Sequence, residues 1–334
     1  MAVSITTSDD PATYRDRPRA ARSENPGAPP EPPSGRQLRI SCGDQEVIVT
    51  EVGATLRSYL VAGVPVLEGF TESEICHDGR GQLLLPWPAR LGDGRYTFGG
   101  KEHQLPLDDP EFGNAIHGFT RWDNWVAEPQ SATRLAMRHV LHARPGYPFC
   151  LDLAATFELD ETGVSVSLSA VNIGDAPAPL GAGAHPYLTV GTPRVDSCRL
   201  LVPASTFLLT DSRLLPAGRT PVSGTEWDFR KSRVIGATRL GTAYTDLVRD
   251  CDGLAWAILD APGGRRLAMW VDQAHRWIQL YSGDAIPPPH RRTSLAMEPM
   301  TCPPDAFRSG EDLTVLEPGE KWIARWGVDV TGFR

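Results

Sequence analysis

Leu151-Asp-Leu-Ala-Ala-Thr-Phe-Glu-Leu159, the turn Asp160-Glu161-Thr162-Gly163 and Val164-Ser-Val-Ser-Leu-Ser-Ala-Val171 form the stretch that decides the fold. In its second half, apolar residues alternate with serines, which places four of them on one face: Val164, Val166, Leu168 and Ala170. This alternation is typical of a half-buried β-strand, and the polar, Gly-containing connection is typical of a turn. The stretch therefore predicts a β-hairpin.

Two further hairpins are indicated by the same pattern. Gly99-Gly100 separates two short strand-like runs, Arg95–Phe98 and Lys101–Gln104. Ala261-Pro-Gly-Gly264 separates another two, Leu254–Leu259 and Arg265–Val271. No segment keeps apolar residues at helical spacing over three turns, so helices should be few and short. We predict an all-β, antiparallel sandwich, for which two large sheets are one arrangement.

The chain has 334 residues, 41% of them hydrophobic, which is enough material for a substantial core. Residues 1–35 differ from the rest because they are rich in Pro, Arg, Ser, Asp and Glu and have no apolar periodicity. Such a segment cannot bury enough apolar area to become ordered. We therefore predict a flexible tail over residues 1–35 and one β-sandwich domain over residues 36–334.

Charge and composition narrow the possible partners. The net charge of −8 argues against a nucleic-acid partner and fits a neutral substrate. No stretch reaches the roughly 18 consecutive apolar residues of a membrane span. The six cysteines are dispersed without metal-ligand spacing, so we expect reduced thiols, no metal and a cytoplasmic location. Phosphate-loop, Rossmann and nucleophile-elbow patterns are missing from the sequence, which argues against nucleotide cofactors and a serine-hydrolase triad.

Glu298 and His185 are the first candidates for acid/base chemistry. Glu298 ends an apolar run, where desolvation would raise the pKa of its carboxyl group and make it a stronger base. His185 follows four small residues and precedes Pro186 and Tyr187, whose aromatic face could support a sugar ring. The alternatives are an exposed strand-end glutamate and a buried histidine whose ring bonds to a backbone carbonyl.

Asn114, His117 and Arg90 are weaker candidates from local sequence. Asn114 and His117 lie three residues apart on a turn-rich loop that could direct both into a cleft, although a capping Asn with an incidental His is the alternative. Arg90 follows an apolar strand and a Pro-rich bend, and its guanidinium suits adjacent hydroxyls or a carboxylate. A structural ion pair is the alternative for Arg90.

Taken together, these segments resemble the aldose 1-epimerase (galactose mutarotase) family. The resemblance runs through almost all of the chain after the tail, in five segments: Pro88-Ala-Arg90-Leu-Gly92-Asp-Gly94-Arg-Tyr96-Thr-Phe98-Gly-Gly100, Asn114-Ala-Ile-His117-Gly118, Ala184-His185-Pro186-Tyr187, Glu298-Pro-Met-Thr-Cys-Pro-Pro-Asp-Ala306-Phe307 and Leu316-Glu-Pro318-Gly319. It implies a β-supersandwich and a cofactor-free interconversion of the α and β anomers of a free hexose or close derivative.

The resemblance also implies a role for each candidate. The Glu298 position would remove the proton from the anomeric hydroxyl, and the His185 position would protonate the ring oxygen as the C1–O5 bond breaks. The His117 position would assist at the ring oxygen or orient the sugar. Arg90 would hydrogen-bond sugar hydroxyls, and Asn114 and Tyr187 complete the expected sugar contacts.

The sequence departs from the family pattern at two places. Gly241 occupies the position where many relatives have an aspartate that contacts sugar hydroxyls. Asp246 is the candidate replacement, although an odd separation along a regular strand would face it away from Gly241. Arg90 follows Pro-Ala, where the best-known mutarotases have Asn before the arginine.

Two other functions stay open at this stage. A hexose-6-phosphate 1-epimerase would need a basic cluster beyond Arg90, and the sequence does not locate one. A non-catalytic carbohydrate-binding protein on the same scaffold would not need both a base and an acid. In each case we expect a small sugar as the partner, no nucleic acid or membrane, and a monomer or homodimer.

Overall fold

The computed structural model describes residues 30–333, and the regular secondary structure of these residues is almost entirely β-strand. The strands, in chain order, are β1 (Gln37–Cys42), β2 (Gln45–Thr50), β3 (Leu56–Val61), β4 (Val64–Leu67), β5 (Leu83–Leu84), β6 (Arg90–Gly92), β7 (Arg95–Phe98), β8 (Lys101–Gln104), β9 (Asn114–Ile116), β10 (Val126–Ala127), β11 (Arg134–Leu141), β12 (Leu151–Leu159), β13 (Gly163–Asn172), β14 (Ala178–Leu180), β15 (Gly183–Ala184), β16 (Tyr187–Leu188), β17 (Arg199–Leu201), β18 (Ala204–Thr210), β19 (Pro216–Pro221), β20 (Arg233–Val234), β21 (Gly241–Leu247), β22 (Ala255–Asp260), β23 (Arg266–Val271), β24 (Trp277–Tyr281), β25 (Leu295–Met300), β26 (Thr314–Leu316) and β27 (Lys321–Thr331).

Helices are few and short in the described part of the chain, as predicted. One α-helix, α1, covers Ala306–Ser309, and two 3₁₀ turns cover Thr120–Trp122 and Val195–Ser197. No helix within residues 30–333 is long and apolar enough to span a bilayer.

Two large antiparallel sheets dominate the structure. The larger has twelve strands and runs β1-β2-β3-β4-β16-β25-β24-β21-β18-β19, with β15 joined to β25 and β5 joined to β15. The second has nine strands in the order β10-β11-β12-β13-β27-β23-β22-β17-β20. The predicted antiparallel sandwich with two large sheets is therefore confirmed.

All three predicted hairpins are present, as the pairs β12–β13, β7–β8 and β22–β23. In β13 the predicted apolar face is buried, because Val164, Val166, Leu168 and Ala170 are each at most 2% exposed. The two glycines of the β7–β8 turn have positive φ angles, which the tightest hairpin connections require.

The main core lies between the two sheets. One continuous cluster of buried apolar side chains includes Val47 and Tyr59 of the larger sheet together with Phe157 and Val166 of the second. Each large apolar side chain buried in this way contributes about 1.5–3 kcal/mol relative to exposure. This core fixes the larger sheet as a rigid platform for the candidate residues.

The predicted tail falls mostly outside the described residues, since residues 1–29 are not described. Its last part is described and joins the folded unit, which begins at Pro32. Ser34 is buried there, and its carbonyl accepts a hydrogen bond from the backbone N–H of Val52 (3.1 Å).

Candidate active site

Glu298 lies near the middle of the larger sheet, on β25. Every residue of that strand is buried, and Glu298 itself is 3% exposed, which excludes the alternative of an exposed strand-end glutamate. Burial raises the pKa of the Glu298 carboxyl group to about 8, and the positive charge of Arg90 opposes this rise. A carboxyl group with such a pKa can carry or release a proton near neutral pH.

His185 meets Glu298 from the short connection between β15 and β16. Its Nε2 atom is 3.3 Å from Oε1 of Glu298, and its ring stacks on Tyr187 with centroids 5.0 Å apart and planes 15° apart. Burial lowers the pKa of His185 to about 4. Nδ1 has no hydrogen-bond partner within residues 30–333, although the backbone of His185 itself opposes the lowering of its pKa.

The Glu298–His185 pair holds one proton over a wide pH range. The same burial penalises both the carboxylate and the imidazolium, so the pKa of Glu298 moves up and that of His185 moves down. Between about pH 4 and about pH 8, the one proton can be on Glu298, which leaves both groups neutral, or on His185, which makes an ion pair. One acid and one base are therefore available in either arrangement.

His117 adds a third polar group with a defined tautomer. The backbone N–H of His117 donates to the Ala89 carbonyl (3.0 Å), and the backbone N–H of Ala89 donates to Nδ1 of the His117 ring (3.1 Å). Since Nδ1 accepts, a neutral His117 must carry its proton on Nε2. Burial, reinforced by His185 and by Arg121 and Arg90, holds the pKa of His117 well below its usual range. The ring lies edge-on to His185 with centroids 5.4 Å apart.

The small sheet of β6 and β9 positions Arg90 and Asn114 differently from each other. Arg90 is one-quarter exposed, and its Nε donates to Asp109 (2.8 Å), so the structural ion pair exists while part of the guanidinium remains accessible. Asn114 is completely buried. Its amide donates to the Arg213 carbonyl (3.1 Å) and accepts from the Arg213 guanidinium (3.1 Å). Asn114 thus anchors the loop before His117, and its amide is already used by the protein.

The structure does not bring Asp246 into this group. Asp246 is exposed near the end of β21, and its φ angle of 55° interrupts the regular alternation of the strand at that residue. At Gly241 a Cβ atom would meet nothing within 4 Å. The exposed position of Asp246 gives no support to it as the replacement for the carboxylate missing at Gly241, and that role stays a prediction.

Sequence reasoning missed Gln279, Tyr281 and Asp109. Gln279 of β24 lies directly opposite Glu298 in the register, and Tyr281 lies opposite Gly241, so both share the face of Glu298. The alternation in Trp277-Ile-Gln-Leu-Tyr281 places Gln279 and Tyr281 on one face, which is a signal for both. Asp109 is identified only by its bond to Arg90, which sequence does not show.

Within residues 30–333, no group of three or more His, Cys, Asp or Glu side chains could hold a metal ion, and all six cysteines are free. The arrangement is instead a buried carboxyl–imidazole pair with an adjacent imidazole N–H donor and an arginine at its edge. Such a group can move protons between two positions on one small molecule.

Comparison with known proteins identifies the family. The family model described as aldose 1-epimerase matches residues 36–327. The chain belongs to the aldose 1-epimerase family. Membership indicates an isomerase of the epimerase type, and it places Glu298, His185 and His117 within the matched region.

Two relatives and one solved structure show the extent of the similarity. The uncharacterized protein YihR of Escherichia coli K12 is 32% identical over 288 residues, covering 86% of this chain and 91% of YihR. Galactose mutarotase of Mus musculus is 26% identical over 291 residues, covering 79% and 82% of the two chains. The crystal structure of galactose 1-epimerase from Lactobacillus acidophilus has a TM-score of 0.76 at 23% identity, covering 88% and 94%.

Proposed function

We propose that this aldose 1-epimerase family member is a mutarotase that interconverts the α and β anomers of a free hexose or a close derivative. The observation that carries the proposal is the buried Glu298–His185 pair, 3.3 Å apart, with the Nε2–H of His117 beside it. Mutarotation needs one group to take a proton from the anomeric hydroxyl and another to protonate the ring oxygen.

The proton balance of this pair matches ring opening. In the ion-pair arrangement, Glu298 takes the proton of the anomeric hydroxyl while His185 gives its proton to the ring oxygen, so that the C1–O5 bond breaks and an aldehyde forms at C1. Glu298 gains one proton and His185 loses one, and the pair ends in its neutral arrangement. Rotation about C1–C2 and the reverse transfers give the other anomer without any net change in the protein.

The neighbouring residues have supporting roles in this proposal. The Nε2–H of His117 can only donate, which suits an oxygen that gains negative charge as the C1–O5 bond breaks. The accessible part of the Arg90 guanidinium can donate to sugar hydroxyls. The absence of a carboxylate at Gly241 bears on which sugar is accepted, and it leaves the acid/base pair unchanged.

The direct test follows freshly dissolved α-D-glucose and α-D-galactose by polarimetry or by NMR exchange. We expect the protein to accelerate anomer exchange of at least one sugar above the rate in buffer. If both sugars exchange at the buffer rate, phosphorylated and deoxy sugars are tested next. Failure with all of them, together with measurable sugar binding, would replace the proposal with a carbohydrate-binding function.

The pH dependence of the reaction should follow the proton count of the pair. Below about pH 4 the pair takes up a second proton, so no base remains; above about pH 8 it loses its only proton, so no acid remains. We therefore expect kcat/KM to be level between these limits and to fall on both sides. The profile is measured by NMR exchange after subtraction of the buffer rate. A rate that simply rises with pH through 8 would contradict the one-proton pair.

A further inference from the structure

Arg80 is a completely buried charged residue next to the candidate site. Its side chain is 0% exposed, and its Nη1 donates to Asp78 (2.6 Å), whose own side chain is 36% exposed. Nε and Nη2 of Arg80 have no hydrogen-bond partner within residues 30–333, and the nearest carboxylate oxygen of Glu68 is 3.7 Å from Nη2. Two of the three guanidinium nitrogens are therefore buried without a hydrogen bond.

Stability does not explain such a residue. A buried donor without a partner costs about 1–3 kcal/mol, and more when the group is charged. Replacing a buried ion pair by apolar groups of similar volume is often neutral or stabilising. A methionine at position 80 would fill similar space without the two unpartnered donors, and it would leave Asp78 without its ion-pair partner. Arg80 is thus a candidate for a role in the chemistry of the site.

Arg80 is connected to His185 both through a ring and through the backbone. The guanidinium carbon is 4.6 Å from the centroid of the Tyr187 ring, which stacks on His185. The N–H of Gly81 donates to the His185 carbonyl (2.9 Å), and the His185 N–H donates to the Gln82 carbonyl (3.0 Å). The segment that carries Arg80 is therefore bonded on both sides to His185, which fixes the distance between the two side chains.

We propose that Arg80 is a positioning residue for His185, whose buried positive charge disfavours the imidazolium form and so makes His185 a stronger acid toward the sugar ring oxygen. The catalytic part of this inference rests on the mutarotase function proposed above. Because Arg80 and His185 are both buried, this charge is screened less than a surface charge.

The net effect of the Arg80 charge on His185 depends on the other charged groups around the ring. Arg121 acts in the same direction as Arg80, whereas Asp78 favours the imidazolium. Glu298 faces the ring directly and His117 lies edge-on to it. Since Asp78 is one-third exposed and Arg80 is fully buried, solvent screens the acidic partner more than the arginine. Removing the arginine charge should therefore favour the imidazolium.

The test compares Arg80→Met with Arg80→Lys in the full chain by NMR titration of the His185 ring. We expect the His185 pKa to rise by about one unit in Arg80→Met and to stay near the wild-type value in Arg80→Lys, which keeps the charge. In Arg80→Met, the acidic limb of the pH profile should move up by the same amount. Because Arg80→Met removes one partner of an ion pair and leaves the Asp78 carboxylate unpaired, its melting temperature should fall, and Arg80→Lys controls for that loss.

Asp78→Asn gives an independent measurement with the opposite sign. The asparagine can still accept a hydrogen bond from Arg80, and loss of the negative charge should lower the His185 pKa further. If Arg80→Met folds and His185 titrates as in the wild type, the inference is overturned. It is also overturned if Arg80→Met and Arg80→Lys lose activity equally without any change in titration, because that result indicates packing alone.

The titration also separates this inference from the proposed function, since it needs no substrate. A wild type that accelerates no sugar, combined with a shifted titration in Arg80→Met, would support the electrostatic coupling and overturn the mutarotase function. An active wild type with an unshifted titration would overturn only the role of Arg80.

Discussion

Glu298→Gln is expected to lower kcat/KM for anomer exchange by about 10²- to 10⁴-fold, the usual contribution of one acid or base. Glutamine has nearly the same shape and can still hydrogen-bond to His185, but it cannot take a proton from the anomeric hydroxyl. The loss should therefore appear in kcat more than in KM. NMR exchange at saturating sugar measures it. Glu158→Gln is the matched control, because Glu158 is an exposed glutamate that pairs with Arg134 on the second sheet.

The same variant should change the pH dependence of stability in a defined direction. The pKa of Glu298 is raised on folding from an ordinary value of 4.5 to about 8. The folded state therefore binds more protons than the unfolded state between these values, and stability falls as pH rises through this window. Glu298→Gln lacks this loss, so its melting temperature should exceed that of the wild type at pH 9. A catalytically normal Glu298→Gln, or one that melts like the wild type at pH 9, would remove Glu298 from its proposed role.

The fold could be predicted from the sequence because its signals are local. The alternation in β13 and the short polar connection before it are readable within twenty residues, and the hairpin that they predict is present. The order of strands in the larger sheet could not be predicted in this way. β25 lies between β16 and β24, and the partner β16 is more than a hundred residues away in the chain, so no local pattern determines that pairing.

The candidate site, like the fold, could be predicted from the sequence only in part. The residue types and neighbours of Glu298 and His185 indicated acid/base chemistry, and the sheet brings the two side chains together. Asn114 looked like a ligand-facing residue, yet its amide is bonded to Arg213, a partner that sequence separation conceals. Arg80 was missed because arginine is normally exposed, and its complete burial depends on tertiary packing.

Gly118→Ala is expected to have the largest effect on stability among single methyl additions near the site. Gly118 has a φ angle of +69°, and a Cβ atom there would lie 1.9 Å from the Leu85 carbonyl oxygen. Because that atom belongs to the backbone, either Leu85 or the loop that carries His117 must move. We expect a loss of about 3 kcal/mol in the free energy of unfolding, the upper end for ordinary substitutions. Denaturant unfolding measures it.

Gly99→Ala separates the clash from the backbone strain. Gly99 also has a positive φ angle, +57°, but a Cβ atom there would meet nothing within 4 Å, so this variant should lose only the roughly 1–2 kcal/mol that the left-handed conformation costs alanine. Its activity should be unchanged. Gly118→Ala displaces His117, and a displacement near 1 Å can lower activity by about 10²-fold even where the protein is folded. Equal losses in the two variants would show that the close approach of Gly118 to Leu85 does not hold His117 in place.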